Sequence, residues 1–207
     1  MTTHRLEGQH IAGRGRLADY ANLVKLPHTV FAMPFALGWI LFYSYTKRFT
    51  RYAHLVLGFA LAIAPVGAYL AIAGEWSRPW QALLVLAGGV LCWVAGFDIL
   101  YSLQDIDFDR GEGLHSIPAA LGARRALVFS RVLHFLSAAQ FIALGALLPE
   151  LGPAYFVGAG IIAGMLVYEQ SLVKADDLSR IDAAFFTLNG IISVVFFVIV
   201  LGERLLA

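Results

Sequence analysis

Long apolar runs separated by short polar stretches dominate the chain. Six runs are each long enough to cross the roughly 30 Å hydrocarbon core of a bilayer as a helix of about 20 residues. They extend from Leu26 to Thr46, Ala53 to Ala73, Pro79 to Tyr101, Leu127 to Leu148, Ala154 to Leu172 and Ala183 to Gly202. The runs are apolar on every side, unlike the alternating segments of about ten residues in a membrane β-barrel. The pattern therefore predicts an all-α fold, a polytopic transmembrane helical bundle.

Composition agrees with a membrane protein. The 207 residues are 59% hydrophobic and only 14% charged, and the mean hydropathy is +0.74, which excludes an ordinary water-soluble globule. The formal net charge is +1 and the sequence has no basic tail, so we expect the lipid bilayer as a partner and no nucleic acid. The single cysteine, Cys92, excludes a disulfide within one chain and is expected to be a packing residue.

The first residues differ in character from the rest. Residues 1–25 are polar and of mixed charge, and no short apolar core followed by a cleavage site precedes them, which argues against a secretory signal peptide. We predict a polar, cytoplasmic-type N-terminal segment over residues 1–25 and a single transmembrane helical domain over residues 26–207.

Lysine and arginine alternate between the connecting loops and predict the orientation. The loops after the first, third and fifth runs are basic, so the positive-inside rule places them in the cytoplasm, at a bacterial-type inner membrane. The N-terminal segment is also basic, yet one spanning helix would put it on the opposite side from the first loop. Either the first run does not span the membrane, or an odd number of crossings is missing from the chain.

Acidic residues concentrate at the end of the third run, in the segment FDILYSLQDIDFDRGEGLHSIP. Unpaired carboxylates at the edge of hydrocarbon are costly, so the cluster suggests a bound cation or a charged ligand. Helical spacing places Asp98, Tyr101 and Asp105 on one face, and Asp109 extends that face if the helix persists. Asp107 points elsewhere.

Grouped carboxylates suit Mg²⁺, which takes one or two of them together with phosphate oxygens and water. The grouped acids, Asp98, Asp105 and Asp109, are therefore candidate metal ligands, and a phosphorylated substrate would complete the coordination shell of the ion. Arg110 and His115 are candidates to contact phosphate oxygens, and Ser116 to add a hydroxyl group. The alternative is a solvated acidic loop in which Arg110 is a counter-charge.

The residues also resemble a known family. The segments KLPHTVFAMPFALGWI, YSYTKRFTRYAHLVLGFALAIAPVGAYLAIAG, FDILYSLQDIDFDRGEGLHSIPAALGARRAL and YEQSLVKADDLSRIDAAFF resemble the UbiA superfamily of intramembrane aromatic prenyltransferases. The similarity runs over most of residues 22–200 and is strongest to the group of 4-hydroxybenzoate polyprenyltransferase-like proteins that includes members of the futalosine route to menaquinone. The third segment combines the family motif D-x-x-Y-x-x-x-D-x-x-x-D with a following G-x-x-S-I-P.

The resemblance implies a bundle of about nine helices with its site in a central cavity, as helix bundles commonly arrange their ligand sites. In that scheme two aspartate-rich motifs on the cytoplasmic side hold Mg²⁺ and the diphosphate of a polyprenyl donor. Asp98, Asp105 and Asp109 fall on the acids of the second motif, and Tyr101 falls on its tyrosine. The first motif, N-D/R-x-x-D-x-x-x-D, has no counterpart, because segments that flank it in the family join directly near Leu41.

Three functions remain open on the sequence. The resemblance implies transfer of a polyprenyl group from polyprenyl diphosphate to an aromatic acid of the 4-hydroxybenzoate or naphthoate type, in ubiquinone or menaquinone biosynthesis. Asp98, Tyr101, Asp105 and Asp109 would then be catalytic. Arg110 and Lys25 would either contact phosphate or a substrate carboxylate, or anchor the chain at the membrane edge. The alternatives are a truncated, inactive relative or gene-model artefact, and a cation-binding membrane transporter.

Overall fold

The computed structural model describes residues 38–39 and 41–206. The predicted N-terminal segment 1–25, with Lys25, and most of the first apolar run lie outside the described residues, so the expectations for them stay predictions. One compact unit comprises Tyr43–Ala207, and it contains every site residue considered below.

Helices account for most of this unit. A helical turn over residues 41–46 precedes the first long helix. The elements that follow are α1 (Ala53–Ala73), α2 (Gln81–Tyr101), a 3₁₀ turn (Ser102–Asp105), α3 (Ile106–Gly111), α4 (Ile117–Leu121), α5 (Ala123–Leu147), α6 (Pro153–Leu172), a π-helical segment (Ala183–Leu188) and α7 (Asn189–Leu206). The predicted all-α fold is confirmed.

Five segments of the described chain are long and apolar enough to cross a membrane. They correspond to the second to sixth predicted runs, and the first of them has the predicted bounds, Ala53–Ala73. The helix predicted from Leu127 begins earlier, at Ala123. The apolar pattern missed its first turn because the arginines there carry charge, while arginine itself is a good helix former.

Helix ends follow the local sequence. Gly74 ends α1 in the left-handed conformation with φ of 72°, and its N–H donates to the carbonyl of Leu70. Glycine adopts this conformation without a Cβ penalty. Pro153 begins α6, where its missing N–H costs no helical hydrogen bond.

Helices α2 and α5 are the central pair. Ser130 Oγ donates to the carbonyl oxygen of Gly96 at 2.7 Å, and Ser137 Oγ donates to that of Gly89 at 2.9 Å. Residue numbers rise along one helix and fall along the other, so the pair is antiparallel. A Cβ at Gly89 would lie 2.8 Å from the ring of Phe141, so the close approach requires glycine.

Helices α6 and α7 are joined by a hydrogen bond at the end of the bundle opposite the acidic segment. The backbone N–H of Tyr155, in the first turn of α6, donates to Glu203 Oε1 at 2.6 Å. A carboxylate at this position satisfies one of the free N–H groups of the helix start and complements the helix dipole. The Tyr155 hydroxyl donates to the carbonyl oxygen of Phe141 at 2.8 Å, which joins α6 to α5.

A buried apolar cluster supports the other end, where the acidic segment lies. Its members come from the end of α2, the 3₁₀ turn, α4, the start of α5 and the segment before α7. They are Ile99, Leu100, Leu103, Ile117, Ala126, Leu127, Val173, Ile181 and Ala184. Because these side chains pack together, the acidic segment is held between rigid helices.

Candidate functional site

The acidic segment does not continue as one α-helix. Helix α2 ends at Tyr101, a 3₁₀ turn follows, and α3 begins at Ile106. This change of helical pitch still brings Asp105 and Asp109 together. Asp107 is exposed, as the spacing predicted.

The carboxylates of Asp105 and Asp109 converge on the ammonium group of Lys47. Lys47 Nζ lies 3.4 Å from Asp109 Oδ2 and 3.9 Å from Asp105 Oδ2. Asp109 is almost fully buried, with 1% of its side chain exposed, whereas 41% of the Asp105 side chain is exposed. One positive charge therefore lies between two carboxylates at the end of the apolar bundle.

The position of Lys47 is fixed by the backbone around it. The N–H of His115 donates to the Lys47 carbonyl oxygen at 2.6 Å, which ties the loop after α3 to the segment before α1. The buried hydroxyl of Thr46 donates to the carbonyl oxygen of Tyr43 at 2.6 Å and closes the preceding helical turn.

Asp98 has different partners. Its Oδ2 accepts a hydrogen bond from the Tyr43 hydroxyl at 2.8 Å and lies 2.7 Å from His54 Nδ1. His54 is fully buried and Asp98 is 6% exposed. With Asp98 ionised, the proton of this contact belongs on His54 Nδ1, an assignment made from the hydrogen-bond pattern. Asp98 thus joins α2 to α1 and to the segment before α1.

A row of aromatic side chains in mutual contact, called the aromatic wall below, extends from the acidic segment along α2. Its members are Tyr101, Phe185, Phe186, Phe97 and Trp93. The ring of Tyr101 stacks on Phe185, with centroids 4.2 Å apart and planes 28° apart, and meets Phe186 edge to face. Phe97 and Trp93 continue the wall by edge-to-face contacts. Phe185 and Phe186 lie on the π-helical segment, and such segments often occur at functional sites.

A buried carboxyl group lies behind this wall. Glu169 of α6 is fully buried, and its Oε1 accepts a hydrogen bond from Asn189 Nδ2 at 3.2 Å. Asn189 also accepts from Trp93 Nε1 at 2.8 Å and donates to the carbonyl oxygen of Phe185 at 2.9 Å. The network therefore links α2, α6 and the π-helical segment and fixes the backbone that carries Phe185.

Three residues predicted to bind phosphate follow Asp109 in the chain, and some of their polar groups already have hydrogen-bond partners in the structure. The Nε of Arg110 donates to the carbonyl oxygen of Ala119 at 3.0 Å, although the residue is exposed. His115 is exposed, and its backbone contacts Lys47. The buried Ser116 hydroxyl accepts from the N–H of Ala119 and caps α4, and its predicted contact with substrate stays a prediction. Lys25 lies outside the described residues.

Two carboxylates of the acidic segment are placed to share one Mg²⁺ ion. Within residues 38–39 and 41–206, no group of three or more His, Cys, Asp or Glu residues has a spacing that would hold a metal ion. Asp105 and Asp109, however, already converge on one cationic group. Two carboxylates fit Mg²⁺ that takes its remaining ligands from phosphate and water. Asp98 contacts His54 and Tyr43 instead, so its role as a ligand stays a prediction.

Sequence reasoning missed several residues of this site. Tyr43, Lys47 and His54 come from the segment before α1 and the start of α1, and Glu169 and Asn189 come from predicted membrane runs. A signal was present for three of them, because polar or ionisable residues inside membrane runs are rare and commonly functional. His54, Glu169 and Asn189 meet that criterion.

The sequence of the chain matches a known protein family. The model of the UbiA prenyltransferase family matches residues 21–191, which include the whole acidic segment. The chain belongs to this family. The resemblance seen in the motifs is therefore confirmed, and the chain is an integral membrane protein related to enzymes that transfer prenyl groups.

Similar proteins support the same assignment. A 4-hydroxybenzoate octaprenyltransferase of Nitrosospira multiformis is 31% identical over 159 residues, which are 77% of this chain and 53% of that protein. One of Vibrio campbellii is 31% identical over 155 residues, with 74% and 53% covered. The apo structure of a UbiA homolog from Aeropyrum pernix K1 aligns with a TM-score of 0.71 at 31% identity, covering 86% of this chain and 64% of that one.

The chain spans about half the length of the curated relatives it matches. This partial coverage fits the shortened chain inferred from the missing first motif and from the charge alternation.

Proposed function

We propose that the chain transfers a polyprenyl group from polyprenyl diphosphate to an aromatic acid of the 4-hydroxybenzoate or naphthoate type, in the biosynthesis of ubiquinone or menaquinone. The observation that carries the proposal is the convergence of Asp105 and Asp109 on one cation at the end of an apolar bundle. Membership of the UbiA prenyltransferase family supports this chemistry.

Asp105 and Asp109 would hold Mg²⁺ in this proposal. When bound, the ion neutralises charge on the diphosphate and makes it a better leaving group. In this proposal the ammonium group of Lys47, which contacts both carboxylates in the structure, turns to a phosphate oxygen of the donor. The two carboxylates would then be free to bind the metal.

The remaining groups position the substrates. The hydrogen bonds of Asp98 hold Tyr43 and His54 beside the acidic segment. Tyr101 and Phe185 offer ring faces on which an allylic cation is stabilised by cation–π attraction. The bond from the allylic carbon to oxygen breaks, the cation bonds to a ring carbon of the acceptor, and that carbon loses its proton to the released diphosphate.

The direct test uses membranes that contain the full chain. Labelled polyprenyl diphosphate, Mg²⁺ and either 4-hydroxybenzoate or a hydroxynaphthoate are supplied, and the lipid-soluble labelled product is measured. We expect product from the unaltered chain, at least 100-fold less from Asp105→Asn or Asp109→Asn, and little change from Asp107→Asn. The last variant removes an equal charge from the same helix at an exposed position. Equal losses in all three variants would refute the assigned roles.

A shortened relative without activity is the second candidate, and the coverage of about half of each curated relative favours it. The two candidates differ in one experiment. If the chain alone makes no product, but a version with the absent crossings inserted near Leu41 does, the second candidate is correct. Reading the genomic DNA around the codons for residues 39–45 would show whether those crossings were lost from the gene model. In the described residues, no observation favours the transporter alternative.

We also propose that the acidic segment faces the cytoplasm of a bacterial-type inner membrane. The basic loops next to α3 and between α6 and α7 lie at the same end of the bundle, which supports this orientation.

A further inference from the structure

A groove lies between α5 and α6, and its lining includes none of the groups assigned to prenyl transfer. Its volume is about 800 Å³, within the range of ligand sites in proteins. Along most of its length it is lined by small and apolar side chains, among them Phe135, Ala139 and Ile142 of α5 and Val167 of α6. Arg131, Gln170 and Ser171 line one end.

The polar end carries an unpaired charge. Arg131 lies about 12 Å along α5 from its start and is exposed. In the part of the chain that the structure describes, no carboxylate lies within ion-pair distance of its guanidinium. A charged group on a membrane helix needs an anionic partner or access to the headgroup region. A phosphate group can bind guanidinium through two parallel hydrogen bonds.

The same end carries a buried acceptor without a donor. Gln170 is 9% exposed, and no hydrogen-bond partner for its Oε1 exists among the described residues. Ser130 Oγ donates its proton to the Gly96 carbonyl oxygen, so the oxygen can only accept from Gln170, whose Nε2 lies 2.7 Å away. Nε2 also lies 3.0 Å from His134 Nδ1. The amide is therefore held in place by its partners on α5, and its Oε1 has almost no accessible surface, so Arg131 is the charged group at this end that a ligand can reach.

The length of the groove matches one leaflet. Arg131 and Ile142 are eleven residues apart on α5, which corresponds to about 16 Å along the helix. This is close to half of the roughly 30 Å hydrocarbon core. A lipid with its headgroup at Arg131 would thus place an acyl chain along the apolar part of the groove.

We propose that the groove is a binding site for an anionic glycerophospholipid. The phosphate pairs with Arg131, and one acyl chain lies against Phe135 and Ile142. The site is independent of prenyl transfer, because it uses neither the acidic segment nor the aromatic wall.

The test is native mass spectrometry of the full chain after delipidation in detergent, without prenyl substrates. Phosphatidylglycerol is the probe, and phosphatidylcholine and phosphatidylethanolamine are the comparison lipids. We expect one phosphatidylglycerol per chain, bound about tenfold or more tightly than phosphatidylcholine. Arg131→Ala should weaken its binding by about tenfold or more, because the loss includes a charge-assisted hydrogen bond.

Two variants sharpen the result. Arg125→Ala removes the same charge from the same helix outside the groove and should change binding less than about twofold. Ala139→Trp fills the groove at an exposed position, so it should block binding without disturbing the core. If Arg131→Ala does not fold, Ala139→Trp and the lipid comparison still decide the question.

Several outcomes would overturn the proposal. Equal losses from Arg131→Ala and Arg125→Ala would mean attraction by surface charge alone, and equal binding of all three lipids would exclude headgroup recognition. Displacement of the lipid by a polyprenyl diphosphate would assign the groove to the isoprenoid chain. A dimer that is lost in Ala139→Trp would assign it to a second copy of the chain.

Discussion

Replacing Lys47 with methionine should show how much its positive charge stabilises the fold by neutralising Asp105 and Asp109. Methionine keeps much of the length and apolar character of the side chain but removes the charge. Asp109, with 1% of its side chain exposed, would lose its ion-pair partner, and the Asp105 carboxylate would repel it. Removing one partner of a buried pair costs about 3 to 5 kcal/mol, and we expect the lower value because 17% of the Lys47 side chain is exposed.

The expected loss is measurable by thermal unfolding in detergent. For a chain of this size, 1 kcal/mol lowers Tm by about 2 to 4 °C, so a loss of about 3 kcal/mol predicts a decrease of about 6 to 12 °C. Lys174→Met is the matched control, because Lys174 is exposed in the loop after α6. It should lower Tm by less than about 2 °C. The double variant Lys47→Met, Asp109→Asn should recover most of the loss, since it also removes the buried negative charge.

Magnesium should then stabilise the variant more than the unaltered chain. With Lys47 absent, Asp105 and Asp109 can take Mg²⁺ between them without displacing the ammonium group. At a free Mg²⁺ concentration of about 100 times Kd, binding stabilises the folded state by about 2.7 kcal/mol, which would reverse most of the decrease in Tm. The reasoning is refuted if Lys47→Met unfolds at the same temperature as Lys174→Met, or if Mg²⁺ raises the Tm of the variant no more than that of the unaltered chain.

The remaining predictions concern packing, the buried carboxyl group and orientation. Gly89→Val should lower the free energy of unfolding by about 1 to 3 kcal/mol through overpacking. At Gly160 an added Cβ would meet open space, so Gly160→Val should lower it by less than about 1 kcal/mol in the thermal unfolding assay. Glu169→Ala should lower Tm by about 4 to 8 °C through a lost hydrogen bond and a cavity, while Glu169→Gln keeps an acceptor for its partner and should lower it by less than about 2 °C. In a Cys92→Ala background, Glu112→Cys should react with an impermeant maleimide in inverted vesicles, and labelling of intact spheroplasts instead would contradict the proposed orientation.

The helices were predictable from the sequence because a bilayer restricts the choices of the chain. An apolar run in hydrocarbon must satisfy its N–H and C=O groups internally, and a helix does so within one segment. The predicted run Ala53 to Ala73 therefore has the same bounds as α1, and the other described runs differ at their ends by a few residues. The π-helical segment was not predictable, because its extra residue per turn depends on packing of Phe185 and Asn189 against neighbouring helices.

The acidic segment was also visible in the sequence, but the partners of its carboxylates were not. Lys47 and Asp109 are 62 residues apart, and His54 and Asp98 are 44 residues apart. Helical spacing grouped Asp98 with Asp105 and Asp109, yet in the fold Asp98 contacts His54 and Tyr43, while the other two converge on Lys47. Spacing along one helix says nothing about which side chains an adjacent helix presents to it.

The sequence alone determined which segments are helical, that they belong in a membrane, and that acidic residues gather at one end. These properties follow from local hydropathy and from periodicity within a helix, which are encoded in neighbouring residues. The tertiary structure decided that Lys47 lies between two carboxylates, that Asp98 binds His54, and that Glu169 and Asn189 form a network behind the aromatic wall. Those contacts depend on how helices distant in the chain dock against one another, and docking is set by the summed packing of many side chains.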